Sequence, residues 1–209
     1  MLTLSGASPA AGQFTAAEQS QMVTAHETVR QDVDPIAMPM LPPLTWSAGL
    51  AATAQAWAEL CQYPTHSGTP GVGENMYAST GTPNVRPTPA GVVAAWASEA
   101  ANYDYATNTC TPGKVCGHYT QIVRRPVTQV GCGINECSAV TNPFPPPFDD
   151  LPWYMVVCQY NATQSSAARP YLCDYDGNGS ATHVCTSSFF ADGFEQTQAL
   201  PGNWAGKAP

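Results

Sequence analysis

Gln129–Cys137 (QVGCGINEC) and Trp153–Tyr160 (WYMVVCQY) set β-branched or aromatic residues at alternate positions, the period of strands that bury side chains on a defined face. A third stretch, residues 119–124, reads the same way and is expected to be a strand. Three helices are expected ahead of these strands. The first spans about 15–32: Met22, Ala25, Val29 and Val33 recur at helical spacing, and Thr15 with Glu18 forms a capping box. His26 lies on that stripe and is expected to be a hydrogen-bonded core residue. Four prolines between 34 and 43 break the chain into an extended connection. A second helix then starts at a Ser47 cap, with Leu50, Ala54, Trp57 and Cys61 as its buried stripe and Glu59 solvated. Residues 63–89, rich in Gly, Pro, Thr and Ser, read as a long connection. The third helix is expected over 89–105, with Val92, Trp96, Glu99 and Tyr103 on one stripe. Helices before strands argue for an α+β fold with an antiparallel sheet, not a βαβ repeat. The apolar loop 141–152 is expected to pack on the domain itself.

Of 209 residues, 44% are hydrophobic and 11% charged, and the net charge is −8. A chain this acidic has no electrostatic footprint for nucleic acid or anionic lipid. It has no apolar run long enough for a transmembrane segment. Residues 1–14 show no basic stretch ahead of an apolar one, so any signal peptide is expected to have been removed; they read as a flexible leading segment. The domain proper is expected over 15–164 and a C-terminal extension over 165–209. The 8 cysteines lack paired CxxC knuckles, which favours disulfides and an oxidising compartment, extracellular or periplasmic. Cys110 and Cys116 bracket a short Pro-Gly loop and are expected to close it. Cys173 and Cys185, isolated in the tail, are expected to pair. Cys132 and Cys137 are five apart on one strand, so they point to opposite faces.

Few titratable side chains remain. His66, Glu74, Glu99 and His118 stand out: two imidazoles and two carboxylates suit a transition-metal or proton-transfer site. Glu99 on an apolar stripe demands a cation or several donors.

THS (65–67), GEN (73–75), WASE (96–99) and GHYTQIV (117–123), in this order, resemble the CAP superfamily of cysteine-rich secretory, antigen five and pathogenesis-related proteins. The resemblance takes in the His26 segment, LTW (44–46) and VVCQY (156–160), so it covers about residues 15–162. It implies a three-layer α-β-α sandwich with a large central cavity lined by His66, Glu74, Glu99 and His118. It implies a divalent ion, zinc foremost, on His66 and His118 with the glutamates close by, and it pairs Cys132 with Cys158 and Cys61 with Cys137. The chain departs from the family pattern in two places. Arg124 and Arg125 follow GHYTQIV where the family has tryptophan, and Gln164 and Ser165 replace its glycine and asparagine. The basic pair is expected to be a solvated strand end, with attraction of an anionic group as the alternative.

The tail carries Asp174, Asp176, Asn178 and Gly179, the first half of a calcium loop, but Cys185 stands where the bidentate glutamate belongs. A disulfide-tied turn is the expectation there. FFADGFE (189–195) looks like a short element of secreted bacterial proteins, and Asn161 and Asn178 begin glycosylation sequons. The functional expectation is a secreted, monomeric binding module that takes a metal and a lipid, sterol or glycan. The rivals are a hydrolase, using zinc with Glu74 and Glu99 or Ser67 beside His66, and a disulfide-hardened structural protein. No HExxH or GxSxG is present; a serine nucleophile needs a base, an orienting third group and oxyanion donors, and only the adjacent His66 is visible, so any turnover is expected to be independent of Ser67.

Overall fold

The structure is a computed structural model that describes residues 12–164 and 168–173. Its elements in chain order are α1 (Ala16–Gln31), β1 (Thr45–Trp46), α2 (Ala48–Glu59), β2 (Gly73–Thr80), α3 (Pro89–Ala97), β3 (Tyr103–Asp104), β4 (Thr109–Cys110), α4 (Gly117–Ile122), β5 (Gln129–Cys137) and β6 (Trp153–Tyr160). The main sheet runs β1-β5-β6-β2. β5 pairs antiparallel with β6, and β6 with β2; the two-residue β1 adds a parallel edge to β5.

Strand alternation divides the core into two. From β5 and β6, Val130, Cys132, Ile134, Val156, Cys158 and Tyr160 join Met22 of α1, Val92 and Trp96 of α3, and Tyr119 and Ile122 of α4. Trp153, Met155, Val157 and Cys137 join Ala54 and Ala58 of α2 and Met76 of β2. The sheet therefore lies between three helices and one, the α-β-α sandwich the resemblance implied. Cys132 and Cys137 fall on opposite faces as expected. Three of the expected disulfides are present: Cys61–Cys137, Cys110–Cys116 and Cys132–Cys158. Cys173 is disulfide-bonded, whereas Cys185 and the proposed calcium residues lie outside the described residues, as does FFADGFE.

The face of α2 differs from the expected stripe. Ala54, Gln55 and Ala58 are buried, while Leu50, Trp57 and Cys61 are only half so. The cause is on β5: a Cβ on Gly131 or Gly133 would collide with the backbone of α2. The helix lies too close for a leucine, so alanines make the contact. Gln55 closes the exposed stretch of β5, donating through Nε2 to the Ile134 carbonyl at 3.1 Å and accepting the Ile134 amide at 3.0 Å. A side chain thereby replaces a missing neighbouring strand.

Four other expectations are corrected. Residues 117–122 form α4, not a strand, because Glu99 accepts two amides at its start. The helix at Pro89 ends at Ala97 and tightens into a 3₁₀ turn over Ser98–Asn102, so Glu99 is not on the apolar stripe of α3. The connection 63–89 contains β2, registered against the whole of β6. Phe14, assigned from sequence to the leading segment, is buried in the core.

His26 is fully buried, as expected. Its Nδ1–H donates to the Met22 carbonyl at 2.8 Å, and Nε2 accepts from the Tyr160 hydroxyl at 2.9 Å. Burial pushes the imidazole down to about 4 from 6.5, so it is neutral in the folded state. The unfolded chain takes up a proton as pH falls below 6.5 and the folded chain does not until about 4; stability on this account is lost as pH falls through that window. The loss is on the order of 3 kcal/mol. Urea unfolding at a series of pH values is expected to show this slope in the wild type and a flatter one in His26→Gln.

Candidate functional site

The site gathers where β2 begins, at the open edge of the sheet. The 3₁₀ turn that follows α3 presents Glu99 to the start of α4. Its carboxylate accepts from the His118 amide at 2.9 Å, the Tyr119 amide at 3.3 Å and His118 Nδ1 at 2.6 Å. Glu99 is 14% exposed. The sequence-level demand for donors around it is met by two helix-start amides that otherwise have no intrahelical partner, not by a cation. Trp96, its indole N–H donated to the Met76 carbonyl at 3.0 Å, stacks on the His118 ring with centroids 6.0 Å apart.

A second pair mirrors the first. Glu74 of β2 is 6% exposed and accepts from His66 Nδ1 at 2.9 Å, the Ser67 amide at 2.9 Å and Gln159 Nε2 at 3.0 Å. Burial pushes this carboxyl up, but the donors from Gln159, Ser67 and His66 outweigh it and hold it below its ordinary value. In both pairs an ionised carboxylate can only accept, so in the neutral ring Nδ1 carries the proton and Nε2 the lone pair.

The four predicted residues thus form two histidine–carboxylate pairs. β2 separates them. Met76, in phase with Glu74, faces α2, whereas the Asn75 side chain turns the other way, donating to the Tyr160 hydroxyl at 3.2 Å and the His118 carbonyl at 3.0 Å. Gln164 sits between the pairs. It lines a cleft of about 250 Å³ with His66, Ser67 and Glu74, and it donates to the Gly117 carbonyl at 3.0 Å and the Thr120 hydroxyl at 2.8 Å. No group of three or more His, Cys, Asp or Glu side chains positioned for one metal ion occurs among the described residues.

The Ser67 hydroxyl contacts Thr69 at 3.1 Å and accepts from Gln159 at 3.2 Å; His66, which gives its Nδ1–H to Glu74, is not among its partners. Ser67 supports the Glu74 pair. Asn75 and Gln159 were not singled out from sequence, and Gln164 only as a departure from the family pattern. Gln159 and Asn75 do stand inside the VVCQY and GEN motifs, where a polar residue at an otherwise apolar strand end is the available signal. Arg125 is not a solvated strand end: it donates to the carbonyls of Pro39 and Met40.

The sequence matches the cysteine-rich secretory protein family over residues 23–160. The chain belongs to this family. Among its relatives, a PR-1 type pathogenesis-related protein of Sambucus nigra is 35% identical over 166 residues, covering 76% of this chain and 86% of that one. Peptidase inhibitor 16 of Bos taurus is 31% identical over 172 residues, which is 81% of this chain but 35% of the longer protein; the chain spans about a third of that relative. The structure of Schistosoma mansoni venom allergen-like protein 4 shares the fold with a TM-score of 0.58 and 24% identity, over 78% of this chain and 99% of that one. The crystal structure of NaASP2 with Zn2+ shares it with a TM-score of 0.52 and 19% identity, over 76% and 85% of the two chains.

Because the family's WASE glutamate caps α4 here, it has a structural role separable from any ligand. Glu99→Ala, which leaves two part-buried helix-start amides without an acceptor, is expected to cost about 1–3 kcal/mol in urea unfolding, and Glu99→Gln, which keeps one acceptor oxygen, about half that. Equal stability of both variants and the wild type would remove this role.

Proposed function

We propose that this chain is an extracellular binding module of the cysteine-rich secretory family, holding one divalent cation between His66 Nε2 and His118 Nε2. Zinc suits neutral imidazole donors. The observation that carries the reading is the matched use of Nδ1: each ring gives that N–H to a carboxylate, the arrangement that fixes the tautomer and orients Nε2 toward a metal. Glu74 and Glu99 act as the orienting groups, not as ligands. The pairs stand on opposite faces of β2, but β2 is the open edge of the sheet, so a shared ion requires the two imidazoles to reach round that edge. Two protein ligands leave positions for water or for a ligand group. The Zn2+ named with NaASP2, a protein of the same fold, supports the choice of ion. The cleft beside His66 offers room for part of a small apolar or glycan ligand.

Secretion is supported by the disulfides, which persist in oxidising surroundings, and by membership of the family. A serine hydrolase is disfavoured, since the Ser67 hydroxyl is engaged by Thr69 and Gln159 and the adjacent His66 gives its Nδ1–H to Glu74 instead of serving that hydroxyl.

Calorimetric titration of zinc at about pH 7.5 is expected to show one site of modest affinity in the wild type, lost in the His66→Ala, His118→Ala double variant. Glu74→Gln is expected to weaken binding by about 10- to 100-fold through the loss of orientation. Affinity is expected to fall as pH is lowered, because binding requires deprotonated imidazole. Equal zinc binding by the wild type and the double variant would overturn the proposal.

A further inference from the structure

Six of the seven lysines and arginines lie in the described residues, and four of them donate to backbone carbonyls. Arg30 bonds those of Ile122, Arg124, Pro42 and Val127. Arg86 bonds Gln13, and its Nε meets Glu18. Arg125 bonds Met40 and Pro39, and Arg169 bonds Tyr105 and Ala106. The remaining two are Lys114 and Arg124. Neither side chain has an ion pair or hydrogen bond among the described residues; the Nε of Arg124 is buried without an acceptor, as are those of Arg30 and Arg125, but of these three only Arg124 also leaves its terminal nitrogens without a carbonyl.

Both line the same cavity, which encloses about 330 Å³, at the lower end of ligand-binding cavities. Tyr103, Val115 and the Cys110–Cys116 disulfide supply apolar wall, and Thr120 and Gln164 supply polar groups. No aspartate or glutamate lines it among the described residues. In a chain of net charge −8, two unpaired cations in one cavity are not background. A guanidinium with a buried, unmet N–H is stabilised by an oxyanion, above all a carboxylate, whose two oxygens match its fork.

We propose that this cavity binds a small amphipathic anion, with the carboxylate on Arg124 and Lys114 and an apolar body against Tyr103, Val115 and the disulfide. The site is distinct from the histidine pairs. Gln164 is the wall it shares with the His66 cleft.

The test is an NMR titration of the ¹⁵N-labelled chain with octanoate, and in parallel with octanol and inorganic sulfate. Octanoate is expected to shift the amides of Val115, Thr120 and Gln164 saturably, and to bind more than tenfold tighter than octanol, which lacks the charge, or sulfate, which lacks the apolar body. Arg124→Gln and Lys114→Gln are each expected to weaken octanoate by about tenfold, and added salt should weaken it further. Lys114 is exposed, so its substitution leaves the fold intact, and Lys114→Gln is expected to leave zinc binding unchanged. That control separates this site from the metal reading. Octanol binding as tightly as octanoate, shifts confined to other amides, or undiminished affinity in both variants would each overturn the proposal.

Discussion

Arg30 is a cation with 3% of its surface exposed, placed on α1 where three helices meet the sheet. Taking such a charge out of water is costly unless every donor finds an acceptor. Here the two terminal guanidinium nitrogens reach four carbonyls, from the end of α4, the proline-rich connection and the approach to β5, and only Nε is left without an acceptor. Burial pulls the guanidinium down to about 10, still well above neutral pH. The consequence is topological. A helix near the start of the domain fixes where α4 ends and where β5 begins, and α4 carries His118. Glu27, one turn earlier, works with it by accepting the Leu44 amide at 2.5 Å, which places the chain as it enters β1.

The same economy governs the candidate site. Glu74 and Glu99 each accept one imidazole N–H, and Glu99 also accepts two backbone amides and Glu74 one. Each carboxylate therefore holds backbone and imidazole in one rigid unit. A ligand at Nε2 would meet rings already fixed by these bonds, by stacking on Trp96 and by the run of hydrogen bonds from His26 through Tyr160 and Asn75 to the His118 carbonyl. Preorganisation of this kind lowers the entropy lost on binding.

What could be read from the residues alone follows from the range of the physics. The capping box at Thr15 is local, and it formed as written. The parity of Cys132 and Cys137 needs only the two-residue repeat of a strand. α4 was misread because Tyr119, Gln121 and Val123 alternate well enough for a strand, and the partner that makes the segment helical, Glu99, is nineteen residues away. β2 was missed because its strand character comes from pairing with β6, not from its own Gly-, Asn- and Ser-containing sequence. The α2 stripe failed for a similar reason: the glycines on β5 that demand alanines there are invisible until register is known. On α1 the buried line is Met22, His26 and Arg30, two of which a hydrophobic count passes over. The four site residues were legible as motifs. Their division into two pairs was not, since it depends on which way alternate residues of β2 face.

Proline content links these observations. Each of the 20 prolines lacks an N–H while keeping its carbonyl, so the chain carries more backbone acceptors than donors. Loops such as 34–43 cannot satisfy their carbonyls internally, and an unmet buried carbonyl costs free energy. Arginine, with five donors and no acceptor, corrects that imbalance, and carbonyls of Pro39, Met40 and Pro42 are indeed met by Arg125 and Arg30. This accounts for a fold with one arginine–carboxylate pair, Arg86 with Glu18, among its described ion pairs: its few cations are consumed by backbone. In such a chain a cation serving neither backbone nor carboxylate is conspicuous, and Lys114 and Arg124 facing one cavity are best understood as charge kept for something that binds.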